Sequence, residues 1–417
     1  MNPADSTPGT ERRHPVSRRG LPLFCGLLVS ALCLFSPGCA SLASPFRRTP
    51  PHPGRTSLAS KLVVVPTQAI GNFLVVEGKW DRSGPYHFLV DTGSSVTLVT
   101  PAFAQRYATK DAPPPDAPRV RVRSADGQVA ELRPTTLRQL GIGDARFDDV
   151  FALVYDCATL SAHLGVKIDG ILGFPLFRET LLTLDYPRGR VLLQPTRSTA
   201  LIPGTAIPLN DASKTPLISL RLGDRRIVAL IDSGSDSPLS LNPVGLEPAF
   251  ASPPRPGATV STLTGDRPLQ IGRLADTLGI GDYQLPRPIV ELTDELSSLG
   301  GGILKNFTLT FDQEHDRVHF QRDTREPIAS PPRRSAGISF SKTPAYWRIA
   351  GVVPLSPAAQ AGIRTGDLLT HLNGEPVAKW DVNRYEQLIA SAEKLVGRFL
   401  HGAHETDQEV RIFELVP

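Results

Sequence analysis

The sequence predicts a mainly β chain whose body is written twice and is followed by a smaller third unit. Three observations carry this. Leu140-Gly141-Ile142-Gly143-Asp144 recurs identically as Leu278-Gly279-Ile280-Gly281-Asp282. Leu182-Thr183-Leu184-Asp185, with Arg190-Val191 and Gln194 after it, returns as Leu309-Thr310-Phe311-Asp312 with Arg317-Val318 and Gln321. Upstream, Phe88-Leu89-Val90-Asp91-Thr92-Gly93-Ser94 answers to Ala229-Leu230-Ile231-Asp232-Ser233-Gly234-Ser235. The order is the same both times, so two similar lobes over 61–200 and 201–322 are expected. Within them, short apolar runs such as Tyr86–Val90, Leu217–Leu222 and Ile227–Ile231, bounded by Gly, Asp or Pro, read as strands. Pro113-Pro114-Pro115 and Pro253-Pro254 fall at matching places and read as loop breakers.

Composition fits an ordinary globular chain. The 417 residues suggest two or three domains at ~150 residues each. The 45 basic and 41 acidic side chains leave a net charge of +4. Half of that excess sits in residues 1–38, on Arg12, Arg13, Arg18 and Arg19 against Asp5 and Glu11. The body therefore gives a nucleic-acid role no electrostatic support.

Residues 1–38 read as an export signal. Arg18-Arg19 precede the apolar run Leu21–Phe35, too short for a membrane span of ~20 residues but suited to a signal's apolar segment. Ser36-Pro37-Gly38-Cys39 resembles the site at which bacterial lipoprotein signals are cut and lipidated on the cysteine, although Ser36 stands where Leu is usual. Two outcomes stay open: a lipid anchor on Cys39, or plain cleavage after Ala43. The expected location is the bacterial periplasm or, if lipidated, the outer membrane. A Pro-rich tether, 39–60, follows. Cys25 and Cys33 fall inside the signal, so Cys157 is the one certain thiol of the mature body, and its apolar neighbourhood marks it as a small buried hydrophobe. No Cys-x-x-Cys exists to suggest structural zinc.

The chemistry concentrates at Asp91 and Asp232. Each follows an apolar strand, which fixes it where that strand breaks into a tight turn. Gly93 and Gly234 supply backbone freedom and close approach. Thr92 and Ser233 can bond across the interface between lobes, and Ser94 and Ser235 can reach the carboxylates. If the lobes face each other the two carboxylates meet, one keeps a proton, and the pair can activate a water. Asp236 adds a third carboxylate beside them. His315 and His319 lie on a strand-like stretch, His401 and His404 read as a loop, and Arg333-Arg334 as a solvated linker pair. No Gly-x-Ser-x-Gly elbow or phosphate loop is present.

These motifs resemble the single-chain, two-lobed aspartic proteases of the pepsin and retropepsin kind, over about 260 residues. The resemblance implies the acid-protease fold and peptide-bond hydrolysis with no metal or organic cofactor. One chain then suffices for the active site. It also implies an apolar-apolar-Gly brace for each active-site loop. Ile171-Leu172-Gly173 matches it, whereas counting back from Asp312 places Gly300 after the half-apolar Ser298-Leu299. The hairpin 119–132, turning at Ala125-Asp126-Gly127, corresponds to the flap that covers substrate. It lacks the pepsin tyrosine, and its Asp126 and Gly127 tip is polar.

After a Pro-marked linker, 323–335, residues 336–417 resemble the PDZ domains of exported bacterial proteases. Ser356-Pro357 opens a short helix that Gly362 closes, and Asn373-Gly374 makes a hairpin turn. Gly337-Ile338-Ser339-Phe340 matches the family's carboxylate-binding loop, and Asp381–Lys394 is the expected groove helix. Such a module adds a C-terminal peptide as an extra strand. The function expected is an exported aspartic endopeptidase with a peptide-recruiting module. The rival is an inactive peptide-binding envelope protein.

Overall fold

The computed structural model describes residues 52–80, 83–124, 127–197, 201–262 and 265–417. Residues 1–38, which the sequence reads as an export signal, Cys39 and Asp126 lie outside the described residues. Strands dominate, and among the described residues no helix is long and apolar enough to cross a membrane.

The strand Ser83–Asp91 buries three consecutive apolar residues, Phe88, Leu89 and Val90. Alternation is lost because it is enclosed: Phe73–Trp80 pairs antiparallel on one edge and Gly170–Gly173 parallel on the other. Thr97–Val99 then inserts between Gly170–Gly173, antiparallel, and Ala145–Val154, parallel. The segment 201–322 makes the corresponding set. Arg225–Ile231 lies between Leu217–Leu222, antiparallel, and Ser298–Leu299, parallel. Leu239–Leu241 sits between Ser298–Leu299, antiparallel, and Ile289–Leu292, parallel.

A further set of strands underlies both segments. Hairpin Thr180–Asp185/Arg190–Pro195 meets hairpin Thr308–Asp312/Arg317–Gln321 edge to edge, with Leu182 opposite Phe311 and Leu184 opposite Leu309. Thr183 and Thr310 share a hydroxyl hydrogen bond of 2.9 Å across that seam, and Phe174 meets Phe311 edge to face at 5.2 Å. Both sets of strands therefore draw on one apolar core.

Two local expectations change. Pro253-Pro254 lie inside the long strand Phe250–Thr262, not in a loop. The register with Gly265–Leu274 slips between Ser252 and Arg255, and such an irregularity tolerates residues that cannot donate to the ladder. His401 and His404 close a strand hairpin, where His401 Nδ1 meets the Asp367 carboxylate at 2.5 Å.

Residues 336–412 form a separate core around Phe340, Trp347 and Tyr385. The helix spans Val382–Ser391, capped by Asp381, whose carboxylate accepts from the Arg384 N–H at 2.7 Å. Arg333-Arg334 are not simply solvated. Arg333–Ser335 pairs with Phe413–Val416, and the Arg334 guanidinium donates to the Ala390 and Ala392 carbonyls at the end of that helix. Such carbonyls lack partners within the helix, so a cation there stabilises it.

Arg273, only 8% exposed, joins the C-terminal unit to the body. Its Nη1 donates to Arg287 O at 2.9 Å and Ser330 O at 2.8 Å, its Nη2 to Pro331 O at 3.1 Å, and its Nε to Pro417 O. A lysine cannot fork to these acceptors. Arg273→Met should therefore speed nicking of 322–335 in limited proteolysis by roughly tenfold, with Arg273→Lys rescuing little. Unchanged nicking would contradict this role.

Candidate active site

Asp91 and Asp232 each end a buried strand, and the turn that follows folds backbone N–H groups onto them. Asp91 Oδ1 accepts from Gly93 N–H at 2.8 Å and Ser94 N–H at 3.1 Å, while Asp232 Oδ1 accepts from Gly234 N–H at 3.0 Å. A Cβ on Gly93 would lie 2.5 Å from Asp232 Oδ1, and one on Gly234 would strike Asp91 Cγ. Each carboxyl thus rests on the other loop's glycine. Neither glycine has a positive φ, so of the two roles expected of them the close approach holds and the special backbone angle is not needed.

Thr92 and Ser233, both fully buried, fix that approach. Thr92 Oγ1 donates to Ile231 O at 2.6 Å and accepts from Ser233 N–H at 3.0 Å. Ser233 Oγ donates to Val90 O at 2.8 Å and accepts from Thr92 N–H at 2.9 Å. The four bonds form a reciprocal lock between the two halves.

Ser94 and Ser235 act differently from expectation. Ser94 Oγ donates to Val96 O at 2.7 Å, so its backbone N–H and not its hydroxyl serves Asp91. Ser235 Oγ accepts from Ser237 N–H at 3.3 Å. These hydroxyls hold the loops that hold the carboxyls.

Gly173 and Gly300, the expected braces, each stand against the turn that follows one of the two aspartates. Gly173 pairs with Asp91 along the parallel strands, and its Cβ would lie 2.5 Å from Val96 O. Gly300 leaves no room against Ser237 O, and the preceding Leu299 carbonyl accepts the Asp232 N–H at 2.9 Å. Phe174 N–H bonds Ser94 O at 3.0 Å as Gly301 N–H bonds Ser235 O at 2.7 Å. The half-apolar Ser298-Leu299 is fully able to do this, because both residues are buried.

Burial raises both carboxyls. Asp91 is pushed up to about 6, with the Gly93 and Ser94 N–H groups and the Asp232 hydrogen bond opposing the shift. Asp232 is raised well above the ordinary range by burial first and then by the Asp91 charge, with Asp236 adding to it. Two N–H donors favour the charge on Asp91, and one leaves the proton to Asp232.

The expected flap hairpin is the strand pair Val120–Arg123/Val129–Ile142. Gly127, at φ 79°, closes directly against Glu295 of the second half. Arg123 grips Glu295 with two bonds, Nε at 3.0 Å and Nη2 at 2.7 Å. The arginine is mostly exposed, so solvent screens the pair and it opens readily. Glu295 carried no sequence signal, since its partner is far away in the chain. Cys157 is buried, and burial pushes its thiol up to about 12, which leaves it unreactive.

In the C-terminal unit, Ile338–Lys342 is the outermost strand of its sheet, paired only with Trp347–Val352. Ile338 and Phe340 point into the core, Ser339 Oγ reaches Gly351 O at 3.4 Å, and Gly337, at φ 78°, gives its N–H to Ser335 Oγ at 2.8 Å. One N–H of the expected carboxylate loop is therefore already taken.

Residues 76–176 match the family model described as an aspartyl protease, and residues 348–396 match that of a PDZ domain. An aspartyl protease domain is followed by a PDZ domain. The first match contains Asp91 and Gly173, and the second begins after Gly337–Phe340 and includes the helix. No curated protein matches the chain. Among solved structures, a PDZ domain protein from Parabacteroides distasonis is similar at 20% identity over 20% of this chain and 21% of that one, with a TM-score of 0.19. The chain thus spans about a fifth of that protein's length.

A raised carboxyl costs stability as pH climbs, because the folded form holds a proton that the unfolded form has released. For Asp91 the window runs from about pH 4 to beyond pH 6. Asp91→Asn should therefore gain stability over wild type across that window, by on the order of 1–2 kcal/mol after allowing for its partial exposure. Thermal unfolding at pH 4 and pH 8 checks this, and an equal effect at both would contradict it.

Proposed function

We propose that the chain is an aspartic endopeptidase whose two lobes, 61–200 and 201–322, each bring one carboxyl to a shared centre. The observation that carries this reading is the unequal hydrogen bonding of two buried carboxyls held against each other. Asp91, charged, removes a proton from a water between them, while Asp232 donates its proton toward the scissile carbonyl oxygen. The water oxygen bonds the carbonyl carbon, giving a tetrahedral diol. Collapse breaks the C–N bond as the nitrogen takes the proton now on Asp91, and a diol hydroxyl returns one to Asp232. One proton remains on the pair, so the cycle closes.

The hairpin 119–132, with Gly127 at its tip, would cover an extended peptide. The PDZ domain, 336–417, would recruit chains along the outer, strand-free edge of Ile338–Lys342 away from its Lys342 end, the mode such edges favour. Residues 1–38 would export the protein, with Cys39 as the site of a lipid anchor.

Cleavage of a dye-labelled unfolded protein tests the reading. Activity should rise through about pH 6 as Asp91 ionises and fall at higher pH when the shared proton leaves. Asp91→Asn and Asp232→Asn should each lower kcat by about a thousandfold or more. Asp236→Asn removes a neighbouring negative charge and should move the alkaline limb to lower pH. Equal cleavage by wild type and Asp91→Asn would refute the proposal, as would an optimum in the ordinary carboxylate range near ~4.

A further inference from the structure

The groove helix Val382–Ser391 is joined to the body by a turn that also touches the Asp232 loop. The strands Val63–Ile70 and Phe73–Trp80 are connected through Gly71, at φ 57°, and Asn72. Asn383 of the helix grips this turn twice: Oδ1 accepts the Gly71 N–H at 2.7 Å, and Nδ2 donates to Ala69 O at 2.8 Å. Val382 packs onto the cluster containing Ile70 and Phe73. Glu386 approaches the turn so closely that a Cβ on Gly71 would lie 3.4 Å from Oε1.

The other side of the same turn faces the second half. Asn72 Nδ2 donates to Asp236 O at 3.1 Å. A Cβ on Gly301 would lie 2.5 Å from Asn72 Cβ and 2.7 Å from Asn72 O. Gly301 in turn gives its N–H to Ser235 O, beside the Gly300 brace. Asn72 therefore touches both the turn after Asp232, at Asp236, and the bracing segment, at Gly301.

A second tie runs alongside. Lys342, at the end of the outer PDZ strand, donates its Nζ to His163 O at 3.0 Å. Burial lowers Lys342 to about 8 against the opposing charges of Glu386 and Asp236. That electrostatic contact places the PDZ strand, the groove helix and the Asp232 loop around one junction.

We propose that the PDZ helix is a positioning element for the Asp232 loop, acting through Asn383, the Ala69–Asn72 turn and Asn72. This rests on reading that loop as catalytic. The turn holds Asn72 against Asp236 and Gly301 only while the helix holds the turn, so the PDZ domain is part of the active-site frame and not a loosely tethered recruiter. A chain bound along the helix at Val382, Asn383 and Glu386 would compete with the turn and loosen the loop.

Hydrogen exchange by mass spectrometry on the full chain tests this without requiring activity. Asn383→Ala should speed exchange at 69–72 and, through Asn72, at 235–238 and 300–304, by about tenfold at each. Asn72→Asp, which loses the donor to Asp236 O, should speed exchange at 235–238 and 300–304 but leave the Gly71 amide protected. In enzyme that cleaves, Asn383→Ala should lower kcat about fivefold with KM unchanged, because no substrate-facing group is altered. Acceleration confined to 69–72, or none there at all, would overturn the proposal, as would a change in KM alone. If the wild type cleaves nothing, the peptidase reading fails while the exchange data still decide the coupling.

Discussion

The structure turns on four hydrogen bonds between Thr92 and Ser233. Each hydroxyl donates to a carbonyl of the opposite strand and accepts the opposite N–H. None of these groups can reach water, so each bond contributes about 1 kcal/mol net, while losing one orphans partners at a larger cost. More important than the energy is the geometry. The lock fixes two strand ends at one separation, and the next residue of each, a glycine, has no side chain to hold the carboxyls apart. Gly93 and Gly234 are then the surfaces on which those carboxyls rest.

Near-symmetry of the backbone makes the meeting, and small asymmetries assign the roles. Asp91 has two N–H donors and Asp232 has one, with Asp236 close behind it. Two identical acids at this distance would share a proton indifferently. Here the environment favours the charge on one partner and the proton on the other. The Arg123–Glu295 contact is weak by comparison, because Arg123 faces solvent and its ion pair is screened.

Much of this was legible in the sequence because it is local. An apolar strand followed by Asp-Thr-Gly-Ser states the turn, the space and the carboxyl in seven residues, and a count back from Asp312 set Gly300 opposite Gly173. What the sequence hid depends on partners far along the chain. Nothing near Glu295 announces Arg123, nothing near Asn72 announces Asp236 or Asn383, and Arg273 looks like any strand arginine until the linker wraps it. Residue type also misled where its usual role was overridden. Pro253-Pro254 signalled a loop but sit at a slipped register in a strand, and Arg334 signalled solvent but ends a helix. Ser94 carried the right position and the wrong atom: its N–H binds the carboxylate and its hydroxyl binds the loop.

The account stands on one proton shared by two carboxyls that the lock forces together. Carbon-13 NMR of the chain labelled at its aspartate side-chain carboxyls measures that directly, with Asp91→Asn and Asp232→Asn identifying the two signals. The pair should ionise in two separate steps, the first near pH 6 and the second at higher pH, with one proton held on the pair between them. Two aspartates that both ionise in a single step near ~4, as free carboxyls do, would contradict it.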